Sequence, residues 1–203
     1  MQQLPDDFIA ALDATAAAYL THSDPIRQSG FGGGAERWLS EREPILDGVN
    51  RSGTLIDIGC ANGYLLECLV TWGAQRGLHL DPFGLDVSAP LVERARARFP
   101  GREDHFYVDN AWSWEPARRF DFVYSLYDCV PETYLDDYVR GLLARVVAPG
   151  GRLILGAYGS RTRNLPAFDV AAFMRTVGLA VAGQTTVGSA PEAQFAWTDA
   201  AAE

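Results

Sequence analysis

The chain has 203 residues, enough for one domain with a substantial core, and its 48% hydrophobic and 21% charged composition is that of a globular protein. Seventeen basic residues, all arginine, against 26 acidic ones leave a net charge of −9, a balance that repels a phosphate backbone and argues against DNA or bulk RNA as partner. No apolar run approaches the roughly 20 residues needed to cross a bilayer, and the opening Met1-Gln2-Gln3-Leu4-Pro5-Asp6-Asp7 lacks the basic start and apolar core of a secretion signal. A cytoplasmic location without membrane contact is the expectation. Cys60, Cys68 and Cys129 cannot all pair with one another and match no zinc spacing, so reduced thiols and no metal are expected.

In chain order, Phe8, Ile9, Leu12, Ala16, Tyr19 and Leu20 recur at helical spacing over residues 5–20. His22-Ser23-Asp24-Pro25 breaks the pattern, and Ser29-Gly30-Phe31-Gly32-Gly33-Gly34 follows as a flexible tract and potential hinge. Residues 36–46 predict a second helix with Trp38 and Leu39 as its apolar anchors. Residues 54–58 form a short run of branched apolar side chains, the mark of a buried parallel strand. It passes through Gly59 and Gly63 into a helix lasting to about Trp72.

Gly84-Leu85-Asp86-Val87 predicts a second strand, and Ser88-Ala89-Pro90 starts the next helix, which stops at Pro100-Gly101. Arg94, Arg96 and Arg98 on that helix read as a solvated face. Residues 105–108 are a third strand ending at Asp109, and 119–125 a fourth leading to a loop, 126–131, and a helix, 134–147. Pro149-Gly150-Gly151 turns into a fifth strand, 152–158, followed by a helix at 166–177. Two last β-like runs, 179–187 and 194–198, flank the loop 188–191 as an antiparallel hairpin. The expected fold is α/β: a doubly wound, seven-stranded, mostly parallel sheet with a C-terminal antiparallel hairpin and an N-terminal helical appendage. Residues 1–49 form a helical cap and 50–203 the core of one compact domain.

The acidic residues are placed systematically. Asp57 lies just before the glycine turn, Asp86 and Asp109 end the second and third strands, and Asp128 follows the fourth. In an open α/β sheet those strand ends share one edge, where ligands bind. A carboxylate at the second strand suits the paired hydroxyls of a ribose, and Asp109 could accept from an exocyclic amine. A lone Asp at such a position more often caps the next helix, but recurrence in register beside a glycine turn favours a site. Residue 61 is Ala, so the G-x-G-x-x-G dinucleotide pattern is broken, and Asp57 would repel a diphosphate. A ligand with a cationic end fits better. No Gly-Lys-Ser/Thr loop occurs.

Asp57-Ile58-Gly59-Cys60-Ala61-Asn62-Gly63 resembles the first motif of the class I S-adenosylmethionine-dependent methyltransferases. The resemblance runs over residues 50–198 and implies S-adenosylmethionine as cofactor and S-adenosylhomocysteine as product. It implies that Gly59 and Gly63, with Cys60 and Ala61 between them, admit the cofactor's methionine part and that Asp57 faces its amino end. Asp86 would hold the ribose, Val87 the adenine face, and Asp109, Asn110 and Ala111 the adenine pocket. Phe120-Asp121-Phe122-Val123-Tyr124-Ser125 resembles the fourth-strand motif, which puts Ser125 among the cofactor contacts. Residues 147–153 resemble the family's turn before strand five.

Methyl transfer from a sulfonium is an in-line displacement that needs alignment in a dry site, with a base if the nucleophile is a hydroxyl. Candidates for the catalytic side are Asp128, foremost as base, with Tyr127 beside it and His22 on the N-terminal segment. Asp128 could equally cap the helix start at Pro131-Glu132. Cys129 lacks the sequence context of the cysteine nucleophiles that methylate pyrimidines. Phe31, Trp38, Tyr19 and Tyr127 are expected to supply an apolar wall. The expected activity is methyl transfer to oxygen or nitrogen of a small-molecule metabolite by a monomer or homodimer. An RNA or protein methyltransferase, or a non-catalytic cofactor-binding module, remains open as an alternative.

Overall fold

The structure, a computed structural model, describes residues 3–188 and 192–202. Helices α1 (Asp6–Leu20) and α2 (Ala35–Arg42) lead into a core of alternating strands and helices. These are β1 (Gly53–Ile58), α3 (Tyr64–Gln75), β2 (Leu80–Asp86), α4 (Ala89–Arg98), β3 (Phe106–Val108), β4 (Phe120–Leu126), α5 (Leu135–Arg145), β5 (Val147–Tyr158), α6 (Val170–Thr176), β6 (Gly183–Val187) and β7 (Ala193–Asp199). The strands form one seven-stranded sheet in the order β3-β2-β1-β4-β5-β7-β6. β1 pairs in parallel with β2 and β4, whereas β7 runs antiparallel to both β5 and β6. The doubly wound sheet with a reversed terminal hairpin is thus present, although residues 189–191 of the expected hairpin loop lie outside the described residues.

Period-two alternation along the strands sends their side chains to two separate cores. Leu55 of β1 and Phe122 and Tyr124 of β4 join Leu66, Leu69 and Val92 on one face. Ile56 and Ile58 of β1 and Val123 of β4 join Leu135, Val139 and Leu142 on the other. Both faces are covered, which is why β1 reads as a continuous apolar run. Several boundaries differ from the sequence expectation. β2 starts earlier, at Leu80, and α6 starts only at Val170, where the Asp169 carboxylate accepts the Ala172 amide at 2.9 Å as an N-cap.

The second helix stops at Arg42 and continues as a 3-10 turn, Glu43–Gly48, because Pro44 cannot extend the helical ladder. That turn buries Ile45 and Leu46 in the core shared with β1 and α3. Trp38 anchors α2, packed 5.4 Å from the Tyr64 ring of α3, but Leu39 points to solvent at 44% exposure, one position off the buried stripe. Arg42 is itself buried. Its guanidinium lies 4.0 Å from the Phe31 and Tyr158 ring centres and 3.1 Å from the Glu41 carboxylate, tying the N-terminal segment to the end of β5.

Candidate active site

Strand order reverses between β1 and β4, so the helices after these strands leave in opposite directions and a crevice opens at the strand ends. A cavity of about 350 Å3 occupies it, within the range of small-molecule sites. Its floor is made by Gly59, Leu85 and Asp86, its far end by Val87, Asp109, Asn110 and Ala111, and its near end by Leu126, Asp128 and Cys129. α1 lies across the top and turns Phe8, Leu12, Ala16 and Tyr19 inward. Asp86, Asp109 and Asp128 are the charged side chains of this wall, and among the described residues no basic one lines it.

The glycine turn is built for close approach. Gly59 (φ +89°), Ala61 (φ +47°) and Gly63 (φ +73°) adopt left-handed conformations, and a methyl group at residue 63 would lie 2.9 Å from the Ala95 Cβ of α4. The Gly59 and Cys60 amides both donate to the Leu85 carbonyl, at 2.7 and 3.0 Å. Asp86 braces the same turn: its Oδ2 accepts the Ala61 amide and its Oδ1 the Ser88 amide, both at 2.9 Å. The turn-bracing role of a strand-end Asp is therefore real, yet each oxygen keeps a second acceptor site for a hydroxyl in the cavity. Burial raises the Asp86 pKa against the opposing pull of those amides.

Asp57 sits behind the turn, 3% exposed, and among the described residues no donor reaches its carboxylate. Burial first, then the charge of Asp86, raises its pKa to about 7. A buried carboxylate in this condition is matched by a cationic partner. At the other end Asp109 is exposed, and its Oδ1 takes the Asn110 amide at 2.7 Å while Asn110 Oδ1 takes the Trp112 amide at 2.9 Å. The carboxylates, the open glycine turn and the apolar Val87–Leu91 wall fit a nucleoside with a cationic amino-acid tail.

Not every expected contact reaches the cavity. The Cys60 side chain points into the sheet, packed against the α-carbon side of Gly84, with its pKa pushed well up by burial; only its backbone faces the turn. Ser125 is fully buried and its hydroxyl pairs with the Tyr138 hydroxyl at 2.7 Å, so its side chain is engaged in the core. Tyr127 stacks on Phe168 with ring centres 4.6 Å apart and lies outside the cavity wall. His22 is exposed and lines a second, more open cavity with Arg27 and Phe31. Of the expected apolar wall, only Tyr19 faces the main cavity, while Phe31 and Trp38 pack on α3.

Asp128 does reach the wall; it is exposed at the cavity mouth, and the partial desolvation there raises its pKa. Neither the 3-10 turn Glu132–Tyr134 nor α5 has a side-chain cap, so Asp128 is not spent on a helix start. Cys129 beside it carries a thiol pushed up to about 12, chiefly by burial, and directed at the Ile58 carbonyl 3.6 Å away. Such a group is not a thiolate nucleophile. Among the described residues no group of three or more His, Cys, Asp or Glu side chains could hold a metal ion.

Asn62 is the functional position the sequence reading passed over. It is fully buried, and its amide donates to the Pro25 carbonyl and to Gln28 Oε1, both at 3.1 Å. Its oxygen accepts from the Ser29 hydroxyl and the Tyr64 amide, again at 3.1 Å. The glycine turn and the N-terminal segment are thereby one hydrogen-bonded unit. A polar residue between two glycines gives no local sign of so distant a partner.

A methyltransferase-domain family model matches residues 55–151, from β1 to the turn inside β5. Among solved structures, the chain is similar to Burkholderia thailandensis 1,6-didemethyltoxoflavin-N1-methyltransferase with bound 1,6-didemethyltoxoflavin and S-adenosylhomocysteine (TM-score 0.68, 13% identity, covering 99% of this chain and 92% of that one). It is also similar to a SAM-dependent methyltransferase from Aquifex aeolicus (0.60, 15%, 91% and 97%). A third is the putative methyltransferase of Haloferax volcanii in complex with the Trm112 methyltransferase activator (0.55, 17%, 83% and 93%). Among the described residues no helix is long and apolar enough to cross a membrane. Motif, sheet order and acidic crevice agree with these matches: residues 55–151 match a methyltransferase domain, the chain has the fold of the class I S-adenosylmethionine-dependent methyltransferases, and both support S-adenosylmethionine as cofactor.

Proposed function

We propose that the protein transfers the methyl group of S-adenosylmethionine to an oxygen or nitrogen of a small-molecule metabolite. The observation that carries this reading is the seating of α1 directly over the cavity, with Phe8, Leu12, Ala16 and Tyr19 forming its roof. A roofed, mostly apolar cavity accommodates a compact acceptor and excludes a duplex or a folded protein surface. Residues 1–49 then act as the cap on a catalytic core of 50–203.

Asp86 holds the ribose hydroxyls, Val87 and Ala111 flank the adenine, Asp109 and Asn110 meet its polar edge, and Asp57 balances the amino group behind Gly59. When bound, the cofactor supplies an activated methyl carbon. The chain's own part is to exclude water with the α1 face, align the acceptor, and take its proton on Asp128. The raised pKa of Asp128, caused by desolvation at the cavity mouth, makes it a stronger base than a freely solvated carboxylate.

The test is release of S-adenosylhomocysteine by the purified protein over a panel of hydroxylated and amino metabolites. Asp128→Asn should lower kcat by about 100-fold with an unchanged cofactor affinity. Labelling confined to RNA or protein extracts would sink the small-molecule assignment. That second reading draws on the likeness to the Haloferax volcanii protein solved with the Trm112 activator. No methyl transfer to any class would leave a binding module.

A further inference from the structure

With the cofactor's contacts set aside, the roofed cavity keeps a lining for the acceptor: Asp128 and Cys129 after β4, and the α1 face of Phe8, Leu12, Ala16 and Tyr19. One formal charge stands in that lining, the Asp128 carboxylate, and among the described residues no cation lines any part of the cavity. Asp128 is also the wall carboxylate without a commitment. Asp86 accepts the Ala61 and Ser88 amides and Asp109 the Asn110 amide. Among the described residues Asp128 takes only its own amide and makes no ion pair. Arg163 acts on the adjacent Tyr127 phenol, but desolvation and that amide alone act on the Asp128 carboxyl.

The other polar atoms at this end narrow the acceptor further. The Thr15 hydroxyl turns back to the Ala11 carbonyl at 2.8 Å, and the Cys129 thiol is directed at the Ile58 carbonyl. That leaves the Tyr19 hydroxyl, which has no hydrogen-bond partner among the described residues. Burial, then the charges of Asp128 and Asp86, raises the pKa of this phenol, so it stands at the Asp128 end of the cavity. Gly30 makes room for it, since a side chain at residue 30 would collide with the Tyr19 ring. A carboxylate and a phenol oxygen can both accept from N–H groups. An ammonium brings three donors and a positive charge, a hydroxyl brings one donor, and a carboxylate brings none and is repelled by Asp128. The net charge of −9 biases approach toward cations in the same way.

We propose that the acceptor is an apolar amine, cationic in solution, whose nitrogen is held between Asp128 and the Tyr19 hydroxyl and whose apolar body lies along Phe8, Leu12 and Ala16 of α1. The inference rests on the proposed small-molecule methyl transfer and narrows it to nitrogen. The ammonium gives one proton to Asp128, which opens to water at the cavity mouth and loses it again. The nitrogen lone pair then forms the bond to the methyl carbon as the carbon–sulfur bond breaks, its electron pair going to sulfur. Positive charge thus moves from sulfur to nitrogen and ends beside a carboxylate. Tyr19 contributes a second anchor that fixes the direction of the lone pair.

The experiment uses the full chain and three probes with one apolar body: 2-phenylethylamine, 2-phenylethanol and 3-phenylpropionate, followed by ligand-observed NMR in the presence of S-adenosylhomocysteine. The amine should bind at least 10-fold more tightly than the alcohol, and the acid should not bind. Asp128→Asn, at an exposed position where folding is checked by Tm, should weaken amine binding at least 10-fold. It should leave alcohol binding and the calorimetric Kd for S-adenosylhomocysteine within twofold. Tyr19→Phe should weaken the amine by a smaller factor, with the alcohol again the control. No binding of the amine, binding of the alcohol or acid equal to it, or amine binding unchanged in Asp128→Asn overturns the inference. Failure of S-adenosylhomocysteine to bind the parent protein, with the amine still bound, would instead sink the methyl-transfer reading.

Discussion

Replacing Asp57 by Asn should make the ligand-free protein respond differently to pH. Burial holds the Asp57 pKa at about 7 in the fold, against 3.8 for the ordinary group. A carboxyl whose folded pKa is raised keeps its proton longer in the native state than in the unfolded one. Its contribution is therefore neutral below pH 3.8, becomes a cost as pH rises from 3.8 to 7, and is constant above that. Three pKa units correspond to about 4 kcal/mol at pH 8, of which about 3 kcal/mol accumulates between pH 5 and 8. Asn carries no charge at any pH, although its own unpartnered amide costs about 1–3 kcal/mol throughout. The stability of the variant relative to the parent should thus improve by about 3 kcal/mol between pH 5 and pH 8. Urea denaturation at the two pH values, without ligand, measures this directly. A gap that does not change with pH would refute the placement of Asp57 as a buried carboxylate without a partner. The same variant at pH 8 should bind S-adenosylmethionine 10- to 100-fold more weakly, in keeping with a lost ion pair of about 1.4–2.8 kcal/mol.

Other outcomes follow from the geometry of the turn and its neighbours. Asn62→Ala removes four hydrogen bonds between the glycine turn and its surroundings and should cost about 2–4 kcal/mol; amide exchange at residues 26–30 should accelerate, and unchanged protection there would refute the tether. Asp86→Ala should lose both cofactor affinity and stability, whereas Asp86→Asn, which keeps one acceptor for the turn, should recover most of the thermal stability but not the affinity measured by calorimetry. Equal stability of the two variants would remove Asp86 from the turn. Cys129, half-buried on the cavity wall with its thiol pushed up to about 12, should resist a thiol-disulfide reagent at pH 8 in the native protein; rapid labelling at that residue would contradict the suppressed thiolate.

The core was legible because its signals are local. Branched residues at 54–58, the glycine turn and the carboxylates at the strand ends are each written within a few positions, and parallel α/β topology follows from their alternation. Asp86, Asp109 and Asp128 were found this way, and all three line one cavity. What could not be read depends on which way a side chain turns after a loop. Ser125 and Asp128 are three residues apart, yet one faces Tyr138 and the other the cavity. Tyr127 reads as a cavity aromatic until Phe168, 41 positions later in the chain, claims its face. Trp38 and Leu39 are adjacent and equally apolar, but only one falls on the stripe that meets Tyr64. The inward face of α1 was visible as a pattern, but not the object it covers.

The hydrogen bonds of Asn62 divide the N-terminal segment into two parts of unequal stability. Residues 25–29 form a collar fastened to the glycine turn, with Arg42 as a second rivet among aromatic rings. α1, upstream of the collar, is a flap: its 15 residues include none that is fully buried. Segments with few buried apolar contacts open at free energies far below that of global unfolding. Cofactor exchange can therefore proceed by lifting α1 alone, while the turn that grips the cofactor keeps its shape. On this view turnover is limited by the loose end of the chain, and the tight end sets affinity.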